Sequence, residues 1–178
     1  MRIGTKLHGS KTIVRDLKNS DIDFAEDTWF LPEVNRYLSD PSKEYADEKY
    51  YEALKAMPDN ADGYYLIVCD VKTGKPAGTC CMFPSDDMKT YDIGYAVTPK
   101  MQRHGYALEA VRLMEEWIHR HGGTFITCEV AEENTASNAM IRKAGFKAIK
   151  KSSFRKWHME TEYTSNIYRK ELNDPNFK

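Results

Sequence analysis

The sequence predicts an α/β fold in which six or seven strands alternate with four helices. Three observations carry that prediction. Tyr91, Ile93, Tyr95 and Val97 alternate with the period of two that turns one face of a strand toward a core. Ala107, Val111, Met114, Ile118 and His121, with Leu108, Ala110 and Trp117 beside them, recur at helical spacing until Gly122 and Gly123. Shorter apolar runs separated by turn-forming residues repeat this alternation on either side. At 178 residues, with 41% apolar and 30% charged residues, the chain is long enough for one packed domain, expected to span residues 1–178, and leaves no room for a second.

Taken in order, residues 12–15 read as a first strand and residues 21–35 as a helix with Asp21 as its cap. A second helix is expected over residues 45–56, where Pro58, Asp59 and Asn60 break it. Residues 64–71 alternate as a strand, and Lys72, Thr73, Gly74 and Lys75 turn into another over residues 76–83. Ser85, Asp86 and Asp87 turn into the strand of residues 91–97, which Pro99 stops. The long helix is expected to begin within residues 102–105. A strand at residues 125–130 and a helix at residues 135–144 follow, ended by Gly145, which suits a left-handed cap. The segment 157–172, rich in Thr, Tyr and Ile, predicts one or two final strands.

Composition excludes several classes of function. A formal net charge of −1 gives no basis for general nucleic-acid binding, which needs basic surface to displace counterions. The cluster Lys147, Lys150, Lys151, Arg155 and Lys156 reads as a solvated face. No apolar run approaches a membrane span and no signal peptide is visible, so no membrane partner is expected and the expected location is cytoplasmic. Cys69, Cys80, Cys81 and Cys128 and the five histidines lack metal-ligand spacing, and no metal is expected. Cys69, Cys80 and Cys128 lie in apolar strands and read as small buried hydrophobes.

The junction between the strand ending at Val97 and the long helix is the candidate binding site. A helix start carries N–H groups without intrahelical partners and about half a positive charge, so it stabilises a phosphate. Gly105 and the small Ala107 allow close approach, Arg103 adds charge, and His104 and Tyr106 lie in the same loop. Neither the GK[ST] ending of the ATPase phosphate loop nor the GxGxxG dinucleotide fingerprint is present.

Instead Gln102, Arg103, His104, Gly105, Tyr106 and Ala107 fit Q/R-x-x-G-x-G/A, which resembles the acetyl-CoA signature of the GNAT acetyltransferases. A second segment, Glu129-Val130-Ala131-Glu132-Glu133-Asn134-Thr135-Ala136-Ser137-Asn138, followed by Gly145-Phe146, is similar to that family's E-V-x-x-x-N-x-x-[AS] strand, helix and GF turn. The element order matches from about residue 11 to residue 172. Ile93-Gly94-Tyr95 and Ala136-Ser137-Asn138 are similar to the branch that includes ribosomal-protein alanine N-acetyltransferases.

The resemblance implies a mixed central sheet of about seven strands with helices on both faces, and transfer of acetyl from acetyl-CoA to a primary amine by direct attack. The strands ending near Val97 and Val130 would splay, leaving backbone groups of Tyr95, Ala96 and Val97 for the pantetheine arm. The pyrophosphate would lie on residues 102–107. Asn134 matches a family asparagine that contacts pantetheine, with Asn138 assisting, and Asn134 also suits the N-cap of the following helix. Glu129 matches a carboxylate that takes the amine proton in some members, with a solvated strand face as its alternative; Asp92 is the second candidate. Ser137 matches a serine proposed as acid, with a plain helix-surface serine as the alternative. Many relatives place a tyrosine acid where this chain has Ile141. That departure motivates a competing hypothesis, a noncatalytic acyl-CoA-binding module. The acceptor, a small amine or a protein N-terminus, would meet the first two helices and the last strands, where Trp29, Phe30, Tyr37, Trp157 and Tyr163 supply aromatic surface. Glu26, Asp27, Glu33, Glu160 and Glu162 supply negative charge. The resemblance also admits a homodimer.

Overall fold

A computed structural model describes residues 1–172; residues 173–178, which the single-domain expectation includes, lie outside the described residues. Eight strands form one mixed sheet in the order β1-β2-β3-β4-β5-β6-β8-β7. They are β1 (Lys6–His8), β2 (Thr12–Asp16), β3 (Tyr64–Asp70), β4 (Pro76–Pro84), β5 (Thr90–Val97), β6 (Phe125–Ala131), β7 (Lys147–Arg155) and β8 (Glu162–Glu171). All neighbours are antiparallel except β5 and β6.

Helices cover both faces, as α1 (Ile22–Trp29), α2 (Pro32–Asn35), α3 (Glu48–Ala56), α4 (Tyr106–Arg120) and α5 (Thr135–Lys143). The strand period of two splits the apolar residues into two cores. On one face Leu66, Val68, Tyr91, Ile93, Ile126 and Tyr168 pack against Val111, Met114 and Ile118 of α4 and Ile141 of α5. On the other, Ile67, Cys69 and Ala96 meet Ala25, Trp29, Val34, Tyr50 and Leu54 from α1, α2 and α3. Among the described residues no helix is long and apolar enough to cross a membrane.

Four elements differ from expectation. The helix expected over residues 21–35 is two, because Pro32 disfavours helical geometry at Leu31 and restarts the chain at its own N1 position. Asp21 does not cap α1 through its side chain; its carboxylate takes both guanidinium nitrogens of Arg15, at 2.6 and 2.9 Å, and the Lys18 N–H. The second helix begins at Glu48 rather than residue 45, since the Asp47 carboxylate accepts from the Tyr50 N–H and fixes the start. Finally, β1 and β7 add strands where none was read: the former is three residues long, and the latter is an edge that is exposed throughout its first five residues and alternates only from Lys151 to Arg155. Of the basic cluster on and beside β7, Lys147, Lys150, Lys151 and Arg155 are exposed as expected, but Lys156 is buried at 5% exposure.

Candidate active site

Strands β5 and β6 run parallel and pair only where they begin, at Thr90–Phe125, Tyr91–Ile126 and Asp92–Thr127. Beyond those pairs they part. Each keeps its outer neighbour, β5 against β4 as far as Val97 and β6 against β8 as far as Ala131, so the sheet opens into a slot. Among the described residues the inner edges of β5 from Ile93 and of β6 from Cys128 have no strand partner. A cleft of about 900 Å³ runs through this slot, walled by α2, the start of α4, and α5.

The slot's two faces differ chemically because side chains alternate along each strand. Asp92 and Glu129 face the side of α1, α2 and α3, where Glu33, Tyr37, Cys81 and Phe83 also line the cleft. Asp92 accepts from the Thr127 hydroxyl at 2.7 Å, and Glu129 from the Ser165 hydroxyl. Asp92 opens to the cleft, yet the walls withdraw it from bulk water. That burial, reinforced by the Glu129 charge and opposed by the Thr127 hydrogen bond, raises its pKa above the usual carboxylate range. On the opposite face Tyr95 reaches Ser137, the two hydroxyls 2.6 Å apart. Burial, reinforced by Cys128 and opposed by the Ser137 hydrogen bond, raises the Tyr95 pKa, so the phenol stays protonated. Asn134 is the N-cap of α5, its side-chain oxygen accepting from the Ser137 N–H at 3.1 Å. Asn134 and Ser137 both line the cleft.

The phosphate-type loop forms differently from the expected helix start. Pro99–Met101 make a 3-10 turn, and α4 begins at Tyr106 with Gly105 as N-cap. Gly105 has φ 87° and Arg103 φ 65°, both left-handed, which glycine adopts freely and arginine only at a cost of about 1–3 kcal/mol. Among the described residues no side chain caps α4, so the N–H groups of Tyr106, Ala107 and Leu108 are left without an acceptor, while the Glu109 N–H takes the Gly105 carbonyl at 3.1 Å. Arg103, Gly105, Tyr106 and Ala107 line it.

Gln102 also lines the cleft, whereas His104 does not. The Gln102 N–H bonds to Pro99 and its side chain donates to the Val97 carbonyl at 3.0 Å, which removes that carbonyl from the free β5 edge. The His104 ring turns onto the Gln102 carbonyl and does not line the cleft. Asn138 is likewise turned away. It is buried, its amide donating to Ala131, Glu132 and Asn134 carbonyls and accepting from the Tyr168 hydroxyl at 2.7 Å, which stitches α5 to β6 and β8. Ile141 lies in the core at 0% exposure, so that position offers no proton donor. Of the acceptor-side candidates, Glu33 and Tyr37 line the cleft. Trp29 is in the core with its indole N–H on Thr79, and Trp157 is exposed elsewhere.

A carboxylate absent from the sequence reading fastens the loop from behind. Glu109, in the first turn of α4, accepts five hydrogen bonds from the N–H and hydroxyl groups of Ser10 and Thr12 and the N–H of Lys11. A Cβ on Gly9 would lie 2.6 Å from that carboxylate, so a side chain there would displace it from this position. The same turn brings the Lys11 ammonium to the His104 carbonyl at 3.0 Å. Burial pushes the Glu109 carboxyl up, but the Ser10, Lys11 and Thr12 hydrogen bonds outweigh it and hold the pKa down to about 2. Its contribution to stability is therefore complete above the ordinary value of 4.5 and is lost as pH falls toward about 2. Glu109→Gln is expected to lower unfolding free energy by about 2 kcal/mol at pH 7. Urea titrations should show the difference from the parent shrinking across that acid window.

The sequence profile described as "Acetyltransferase (GNAT) domain" matches residues 11–147, more than half of the chain. The chain belongs to the GNAT acetyltransferase family. Solved GNAT-type structures share its fold at low identity. A GNAT-family acetyltransferase from Bacillus anthracis superposes with a TM-score of 0.78 at 18% identity, covering 94% of this chain and 99% of that one. Spermidine N-acetyltransferase from Vibrio cholerae, solved with CoA and spermine, gives 0.77 at 15% identity over 92% and 97%. Ribosomal-protein-S5-alanine acetyltransferase from Vibrio fischeri gives 0.70 at 16% over 96% and 98%. No curated protein matches the sequence. As a GNAT domain the chain is an acetyl-CoA-dependent N-acetyltransferase, with eight strands among the described residues where about seven were expected.

Proposed function

We propose that this GNAT domain moves the acetyl group of acetyl-CoA directly onto the primary amine of a cationic acceptor, with the reacting atoms in the slot between β5 and β6. The observation that carries this reading is the division of the slot: two carboxylates on one face, a hydroxyl pair on the other. The donor's residues fit the opening. Unpaired N–H groups at the α4 start, with Arg103 and the left-handed Gly105, receive the pyrophosphate. The free β5 edge at Tyr95 and Ala96, with Asn134, takes the pantetheine arm, whose amides need partners in place of a strand.

Acetyl-CoA supplies an acyl carbon activated as a thioester. The amine nitrogen forms the new C–N bond as the C–S bond breaks, and the bonding pair leaves with sulfur. The amine proton passes, through water, to the Asp92–Glu129 pair. Asp92 suits that role because its raised pKa brings it closer to that of the proton it must accept. A backbone N–H on the free β5 edge stabilises the carbonyl oxygen as charge develops. Ser137 gives its proton to the departing thiolate and regains one from water, as the carboxylates return the amine proton to water. The Tyr95 and Ser137 hydroxyls lie 2.6 Å apart; we assign the phenol as the donor, which leaves the serine proton aimed at the cleft.

Glu33, Asp92 and Glu129 bring three carboxylates to the cleft outside any ion pair among the described residues, Glu133 is paired with Arg36 at 3.7 Å, and Arg103 and Lys143 also line the cleft. Those carboxylates favour an amine carrying further positive charge, with attraction that weakens in salt. The test is thiol release from acetyl-CoA with spermine, a lysine-rich hexapeptide bearing a free N-terminus, and the same peptide blocked at its N-terminus and lysines. Turnover with either cationic amine and none with the blocked peptide is expected. Acetyl-CoA binding without thiol release for every amine would instead favour the noncatalytic module, for which the core position of Ile141 speaks.

A further inference from the structure

Residues 36–41 lead from the last residue of α2, Asn35, to the rest of the acceptor wall without regular structure, and carbonyls that such a segment buries need partners. One ammonium takes three of them. Lys156, just past β7, is 5% exposed and its Nζ donates to the Asn35 carbonyl at 2.6 Å, the Asn35 side-chain oxygen at 3.1 Å, the Leu38 carbonyl at 2.8 Å and the Asp40 carbonyl at 2.9 Å. The Asn35 amide continues the pattern by donating to the Pro41 carbonyl at 2.9 Å. Next along the chain, the Trp157 N–H takes the Ser39 carbonyl at 2.8 Å. With its polar groups held inward, the segment presents Tyr37, Leu38 and Ser39 to the cleft, and the Tyr37 hydroxyl reaches across to the Glu133 carbonyl.

A buried lysine with no carboxylate in direct contact is costly to desolvate, and burial lowers its pKa against the opposing charge of Asp40. A simple surface group would not be placed so. We propose that Lys156 is a specificity-determining positioning residue: by gathering the carbonyls of the 35–41 segment it fixes the wall of Tyr37, Leu38 and Ser39 against which the acceptor amine binds. This rests on the reading that the amine occupies the α2 side of the slot.

The test compares the full-length protein with Lys156→Met and with Asn35→Ala, which keeps Lys156 and its three carbonyl acceptors. Amide hydrogen exchange over residues 36–40 is measured beside KM for acetyl-CoA and for whichever of spermine and the hexapeptide turns over faster. Lys156→Met is expected to speed exchange in that segment and raise the amine KM about tenfold, with acetyl-CoA KM within about twofold of the parent. Asn35→Ala should give the same split at about threefold, and carries the test should Lys156→Met fail to fold. Lys156→Arg should recover part of the amine KM. Unchanged exchange, or both KM values rising in step, overturns the inference. Faster exchange with an unchanged amine KM overturns it too, and locates the failure in the placement of the amine rather than in the clamp.

Discussion

Glu129→Gln and Asp92→Asn are each expected to lower kcat/KM by about 10²- to 10⁴-fold, with acetyl-CoA affinity unchanged. The double variant should lose little more than the worse single one, because two carboxylates serving one proton act as a unit. The pH profile gives the sharper result. Transfer needs the carboxylate form, so the lower limb rises with pH through the Asp92 pKa, which burial and the Glu129 charge set above the ordinary range. Removing the Glu129 charge lowers that pKa, and the residual activity of Glu129→Gln should show its limb displaced to lower pH. A limb that stays put in Glu129→Gln would remove Asp92 from the mechanism.

Ser137→Ala should reduce kcat by roughly thirtyfold, less than the base variants because a thiolate is a tolerable leaving group. Tyr95→Phe should follow it closely. Without the phenol the Ser137 proton loses its direction, since the 2.6 Å contact is what orients the hydroxyl. Combining the two should cost no more than Ser137→Ala alone, and KM for acetyl-CoA should hold in both. A Tyr95→Phe enzyme with parental kcat beside a slow Ser137→Ala would leave the serine as donor without its partner. Parental rates in both would return the protonation to water.

The strands and helices that bury one face were legible in the sequence because burial imposes a period. Tyr91, Ile93 and Tyr95 turn toward α4 and α5, and Val111, Met114 and Ile118 turn to meet the sheet. β7 escaped notice for the complementary reason: an edge strand exposed along its first five residues has only a short alternation to display. Pro32 was a visible signal, and it divides α1 from α2. The loop before α4 was legible because glycine and proline act on their own backbone. Side-chain partnerships were not. Tyr95 with Ser137, Glu129 with Ser165, and Lys156 with Asn35 join residues 42, 36 and 121 positions apart, and only the completed sheet brings them together. Asn138 illustrates the converse. It stands in the motif beside Ser137, but its place one position further around α5 turns it into the core, where its amide secures β6 and β8.

The central claim is that the donor lies in the slot, with its phosphates on the α4 start and its arm along β5. Amide chemical shifts recorded while CoA is added to the full-length protein test this most directly. The expected result is a saturable set of shifts confined to Ile93, Gly94, Tyr95 and Ala96, to Arg103 through Ala107, and to the first turn of α5, with β1, β2 and α3 unmoved. Shifts clustered away from the β5–β6 opening, or none at millimolar CoA, would contradict it.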